Sequence, residues 1–135
     1  MIKNIAIILT LIFTFLFNAL PANAIYWYEY HNKSYIDLDS VTGTHDLKRA
    51  WLKLLNPGDW ELEQNKKVWF QILYVEVHCK STTKQARILH GTYYDLQGKV
   101  ILSVENDNSD FFFIVPQSLG DIYTSAICNA PTINN

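Results

Sequence analysis

Four histidines and two cysteines are the residues of this chain with the widest site chemistry. His31, His45, His78 and His90 contain no HxxxH spacing, and no CxxC pair accompanies them, so no zinc signature is present. His78 and His90 could face each other across a hairpin with His45-Asp46 approaching, which would make them metal candidates. The competing reading is solvent-facing or half-buried strand histidines, since strand alternation places His78 opposite the core. No metal or other cofactor is therefore expected, and His78 and His90 stay as the candidate ligands.

Other catalytic patterns dissolve on inspection of their setting. Ser81-Thr82-Thr83-Lys84 matches an S-x-x-K pattern, but it sits between two strand-like runs, where such residues make turns. His78-Cys79 cannot easily form a nucleophile–base pair, because adjacent strand residues point to opposite faces. Asn106-Asp107-Asn108-Ser109-Asp110 lacks the sixth-position glycine and closing glutamate of a calcium loop. Five glycines supply no phosphate cradle. Asn32-Lys33-Ser34 is a glycosylation sequon by pattern only. With no nucleophile, base and orienting group to assemble, the expectation is that the protein is not an enzyme.

The amino terminus reads as an export signal. Met1–Asn4 carries Lys3, Ile5–Phe17 is apolar apart from Thr10 and Thr14, and Leu20-Pro21-Ala22-Asn23-Ala24 ends in small residues at both positions of a signal-peptidase site. The expected organisation is a signal peptide over 1–24 and one domain over 25–135. No second apolar run comes after it, so no integral membrane segment is expected once the signal is removed. Ile25 stands where a lipid-bearing cysteine would, which favours a soluble product. The formal net charge of −2 and scattered lysines and arginines argue against nucleic acid as a partner. In an exported chain Cys79 and Cys128 are expected to form one disulfide, with free thiols or metal ligation as the alternatives.

Strand patterning dominates residues 25–115. Ile25–Tyr30 reads as a first strand, His31-Asn32-Lys33 as a turn and Ser34–Asp39 as a second strand, ahead of a turn over 42–46. Lys48–Leu55 sets Ala50, Leu52 and Leu54 against Trp51 and Lys53, and Asn56-Pro57-Gly58-Asp59 breaks it. Val68–Cys79 is the strongest strand, with Leu73, Val75, Val77 and Cys79 on one face and Tyr74, Glu76 and His78 on the other. Gln85–Tyr94, Lys99–Val104 and Phe111–Val115 complete the set, with a tight turn at Asp95–Gly98.

The period then changes to that of a helix. Ser118 is placed as an N-cap with Asp121 three residues on, and Leu119, Ile122, Tyr123, Ala126 and Ile127 form an apolar stripe that ends at Cys128. Asn129–Asn135 reads as a frayed tail. The expected class is α+β: an antiparallel sheet of about six strands with one C-terminal helix packed on it and tied by the disulfide. The abundant aromatics are read first as core and pleated surface, and second as a contact surface.

Trp27, Tyr35-Ile36-Asp37 with Ser40, Ala50-Trp51, Val77-His78-Cys79, Tyr93-Tyr94-Asp95 with Gly98, and Ile114-Val115-Pro116-Gln117-Ser118 ahead of Cys128 stand in this order along the chain. With these residues the layout resembles the surface-adhesin protein E family of exported bacterial proteins. Gln117 departs from the small residue usual after that proline. The resemblance implies a periplasmic or cell-surface location, to which Ile25 in place of a lipid-bearing cysteine adds secretion; it also implies a protein partner among host matrix or envelope proteins and a capacity to form homodimers. Tyr26, Tyr28 and Tyr30 are the candidate contact residues, because the opening strand could be an exposed edge. The alternative is a periplasmic small-ligand or metal-binding protein using the face around Tyr74, Glu76, His78 and His90. The exported protein is expected to begin at Ile25 and to gain two hydrogens on reduction; intact-mass spectrometry showing another start, or two freely alkylatable thiols, would contradict this.

Overall fold

The computed structural model describes residues 26–55, 61–62, 65–80 and 82–133. The expected signal segment and the break at residues 56–59 lie outside them. The strands are β1 (Tyr28–His31), β2 (Ser34–Gly43), β3 (Leu47–Leu55), β4 (Glu61–Leu62), β5 (Lys66–Lys67), β6 (Phe70–His78), β7 (Gln85–Tyr94), β8 (Val100–Glu105) and β9 (Phe112–Phe113), succeeded by helix α1 (Leu119–Asn129). The main sheet is antiparallel in the order β1-β2-β3-β6-β7-β8, with β9 paired to the start of β7 and β4-β5 forming a separate two-stranded ribbon. The α+β arrangement expected from the sequence is the one observed.

Period-two patterning explains the split between the two faces. β3 and β6 pair without interruption from Leu47↔His78 to Leu55↔Phe70, so Ala50, Leu52, Leu73, Val75 and Val77 fall on one side. They join Ile36, Val41, Ala86 and Ile114 in a buried cluster with Tyr123, Ala126, Ile127 and Ala130 from the helix region. Burying such aliphatic side chains stabilises the fold by about 1.5–3 kcal/mol each. Tyr123 is the one aromatic of this cluster among the described residues, so of the core and pleated surface that the sequence suggests for the aromatics, the surface holds rings such as Trp51, Phe70, Tyr74 and Tyr94.

Helix α1 starts where its capping residues require. The Ser118 hydroxyl accepts from the Asp121 N–H at 3.3 Å, and the Asp121 carboxylate accepts from the Gln117 N–H at 3.0 Å, one residue earlier than in a capping box. Gln117 sits at φ +61°, so the departure noted in the sequence falls on a backbone conformation that favours glycine. Leu119 is exposed rather than part of the buried stripe, because it lies at the first helical position beside the cap.

At the other end of α1 the last turn contains no basic residue. The cation comes instead from the sheet: Lys48, on the core face of β3 and almost fully buried, donates from Nζ to the Cys128 carbonyl at 2.8 Å and the Ala130 carbonyl at 2.6 Å. This satisfies orphan carbonyls and places a positive charge at the negative end of the helix. The Cys79–Cys128 disulfide closes the same junction, with a Cα–Cα separation of 5.5 Å. Lys84 adds an ion pair to Asp121 at 2.9 Å and a bond to Ser125.

Several boundaries differ from the sequence reading. β2 continues to Gly43, beyond the expected Asp39, because a bulge between Asp37 and Thr42 absorbs extra residues while pairing with β3 resumes. Gly43, at φ +108°, could not carry a side chain, since a Cβ would lie 2.2 Å from the Leu47 carbonyl oxygen. The expected last strand shrinks to Phe112–Phe113. The tail is not frayed over 130–133: Ala130 is buried and the Ile133 N–H donates to the Val41 carbonyl at 3.0 Å.

Removing the disulfide in a Cys79→Ala/Cys128→Ala protein is expected to lower stability by about 4 kcal/mol, since it frees a loop of roughly 50 residues in the unfolded chain. Urea unfolding measures this. A loss below about 1 kcal/mol would mean that packing and Lys48 hold the helix without it.

Candidate functional site

The sheet face opposite the helix carries the side chains that can do chemistry. Its register builds cross-strand rows: Asp37–Trp51–Tyr74–His90–Glu105 in one, Arg49–Glu76–Arg87 in the next. Each row is a set of same-parity residues that pairing brings side by side. Aromatic rings pave the first row. Trp51 stacks on Tyr74 at 4.7 Å and meets the His90 ring edge-on at 5.8 Å, while Phe70 stacks on Tyr94 at 4.4 Å nearby. These separations lie in the range of favourable ring pairs.

Glu76 is the electrostatic centre. It is fully buried, yet both carboxylate oxygens are used: Arg49 Nε lies 2.5 Å from Oε2, and Arg87 approaches Oε1 with Nε at 2.7 Å and its terminal nitrogen at 2.6 Å. Burial alone would push the Glu76 carboxyl up, but the two guanidinium groups outweigh it and hold it below the ordinary glutamate range. Arg49 is raised in turn, chiefly by its bond to Glu76. Arg87 also stacks over Phe111 at 4.6 Å and donates to the Ser109 carbonyl at 3.3 Å. Two cations around one anion leave the cluster with one excess positive charge.

Two adjoining clefts share Trp51 and His90. The larger, about 500 Å³, lies over Arg49, Tyr74 and Arg87 and is rimmed by Glu105 and Asp107. The smaller, about 270 Å³, is walled by Trp27, Trp51, Ile72 and Tyr94 with Asp37 as its acidic group. A one-residue bulge in β7 sets His90, which lines both clefts, opposite Tyr74: Val75 pairs with Ile88, so Leu89 is the extra residue. His90 Nε2 is 2.9 Å from the Thr92 hydroxyl, and Nδ1 is 3.4 Å from the Glu105 carboxylate. Asp37 is raised by burial, against the opposing pull of backbone N–H bonds from Asp39 and Ser40.

The histidine candidates do not meet. His90 pairs with Tyr74 and His78 with Gln85, which puts them about 13 Å apart along β6. The His78 ring packs against Phe111 at 4.3 Å, and His45 lies in the β2–β3 turn. Among the described residues no group of three His, Cys, Asp or Glu side chains is gathered for a metal. Lys84 of the S-x-x-K run is engaged with α1. Tyr26, Tyr28 and Tyr30 lie at the sheet edge and are exposed by 63%, 45% and 47%. Sequence patterning brings out Tyr74, Glu76 and His90 but misses Arg49, Arg87, Asp37 and Trp27 as members of this face. Opposite charges of matching parity on neighbouring strands are the available signal for the arginines; using it requires the register.

Glu76→Gln is expected to cost about 3–5 kcal/mol, because it leaves two guanidinium groups around a neutral amide. The sign with pH comes from the lowered carboxyl. Its stabilisation is fully present above the ordinary value of 4.5 and is lost as pH falls through the lower folded value. The variant's stability should therefore fall less than the parent's on acidification; parallel acid limbs in denaturant titrations would contradict the assignment.

Among the described residues no helix is long and apolar enough to cross a membrane. No curated protein and no solved structure matches the chain. A family model, surface-adhesin protein E, matches residues 27–129. That span contains the whole sheet, both clefts, the disulfide and α1, so the chain belongs to the surface-adhesin protein E family.

Proposed function

We propose that this chain is an exported, non-enzymatic binding protein that engages a protein partner through the β1 edge of its sheet. The observation that carries this reading is the edge itself. β1 pairs with β2 on one side and has no strand on the other among the described residues, and three exposed tyrosines cluster there. Tyr26 and Tyr28 touch edge to face at 4.9 Å. An extended segment can add to such an edge by main-chain hydrogen bonds while tyrosines anchor its side chains. Family membership supports a binding role, and the disulfide supports an oxidising compartment outside the cytoplasm. A signal peptide over 1–24 fits that export, and Ile25 in place of a lipid-bearing cysteine favours a periplasmic or secreted product over an anchored one.

Partners of this kind include matrix proteins of a host, proteins of the bacterial envelope and a second copy of the chain. A second reading, small-ligand binding on the open face, is favoured by the two clefts around Trp51 and His90. For the first reading, surface plasmon resonance against immobilised matrix and envelope proteins should show saturable binding. A Tyr26→Ser/Tyr28→Ser/Tyr30→Ser protein should weaken it at least about tenfold, as loss of aromatic anchors does. Binding that survives the triple substitution would remove the β1 edge from the interface, and no binding to any of these proteins would remove the proposed role.

A further inference from the structure

Asp37 is a buried carboxylate without a counter-ion. It is only 8% exposed, and among the described residues no Lys, Arg or His side chain lies within ion-pair distance of it. Asp37 pairs in register with Trp51, and the bulge in β2 begins just after it. There Oδ1 accepts from the Asp39 N–H at 3.1 Å, the Ser40 hydroxyl donates to the Asp37 carbonyl at 2.6 Å, and that same hydroxyl accepts from the Trp51 N–H at 3.0 Å. The Asp39 and Ser40 N–H groups hold the carboxylate, which lines the smaller cleft. They replace part of its lost hydration, but no cation stands against it, and buried charges are ordinarily paired.

The walls of the cleft narrow the choice of partner. Trp27, Trp51 and Tyr94 supply electron-rich rings, and Ile72 adds an apolar surface. His90 and Thr92 satisfy each other, so they do not make the cleft broadly polar. An anion would be repelled by Asp37, and a neutral apolar guest would leave it unpaired. A divalent metal needs several oxygen ligands, whereas this cleft offers one carboxylate. A bare ammonium is strongly hydrated and gains little from apolar walls. An alkylated ammonium carries its charge under an apolar coat and is attracted to ring faces. The Trp27 ring already attracts a cation: Lys53 Nζ stands 6.0 Å from it and 5.0 Å from the neighbouring Phe70 ring. The volume, about 270 Å³, suits a small guest.

We infer that the Trp27–Trp51–Tyr94 cleft, with Asp37 as counter-ion, binds a small alkylated ammonium group. This rests on the open-face reading of the clefts and gives that site a ligand class. Choline chloride titrated into the purified protein, monitored by tryptophan fluorescence and by the NMR signals of His90 and Thr92, tests it. 3,3-Dimethylbutan-1-ol, which replaces the ammonium nitrogen by carbon, is the neutral control of the same shape. Choline is expected to bind at least about tenfold more tightly than the alcohol. Asp37→Asn should abolish that preference while keeping an oxygen for the Asp39 N–H and hence the bulge, as near-ultraviolet circular dichroism would verify.

Equal binding of choline and the alcohol would overturn the ammonium assignment while leaving a ligand site on the open face. Failure of both to bind would overturn the assignment, and the larger cleft could then be probed separately for the open-face reading. Unchanged choline preference in a folded Asp37→Asn protein would also overturn it. Should that variant fail to fold, the choline-to-alcohol ratio in the parent decides. Phosphatidylcholine vesicles separate the sources of the group: cosedimentation that choline competes away assigns a lipid headgroup, and choline binding without cosedimentation assigns a free solute.

Discussion

The junction between α1 and the sheet is the constraint on which the molecule depends. A sheet with one aliphatic face needs a cover, and a short helix is marginal unless it is packed. Here the covering helix ends on two different ties at one place. Cys128 is bonded to Cys79 beyond the end of β6, and Lys48 of β3 reaches the carbonyls of Cys128 and Ala130. The lysine serves the helix where its own last turn has no cation, and the helix carbonyls compensate a charge that would be costly to bury alone.

With the helix confined to one face, the other face is free to be chemically different. It carries rings and charges in rows set by the strand register. Glu76 makes the arrangement tolerable, because it sits between Arg49 and Arg87 in the middle of the sheet. Removing its charge would leave two uncompensated cations, which is a stronger constraint than the modest worth of exposed ion pairs such as Lys80–Asp46. The neighbouring aromatic row borders both clefts, so the charged cluster and the ring platform are parts of one surface.

Two irregularities shape that surface, and neither is legible in the sequence. The β2 bulge that begins after Asp37 brings the Asp39 and Ser40 N–H groups onto its carboxylate, and the β7 bulge at Leu89 sets His90 opposite Tyr74. An extra residue in a strand leaves no mark in composition. His78 and His90 remain apart for a different reason: the hairpin register pairs His78 with Gln85 and His90 with Tyr74, four residues away along β6. By contrast, the alternation of Val68–Cys79 correctly separates Leu73, Val75 and Val77 from Tyr74, Glu76 and His78, because a one-residue slip would expose the whole aliphatic set. It does not show that Glu76 is buried, since that depends on arginines from two other strands.

The sequence by itself determined the class of the domain, its strand and helix periods, the helix start at Ser118 and the pairing of its only two cysteines. These are local or counting properties: side-chain alternation, a capping residue and an even cysteine number. The tertiary structure alone decided which charges meet, which ring stacks on which, and where an acid is buried without a counter-ion. Arg49, Glu76 and Arg87 come from three strands, as do Trp51, Tyr74 and His90. Their neighbours are chosen by register and bulges, which are set by the packing of the whole sheet rather than by any short stretch of chain.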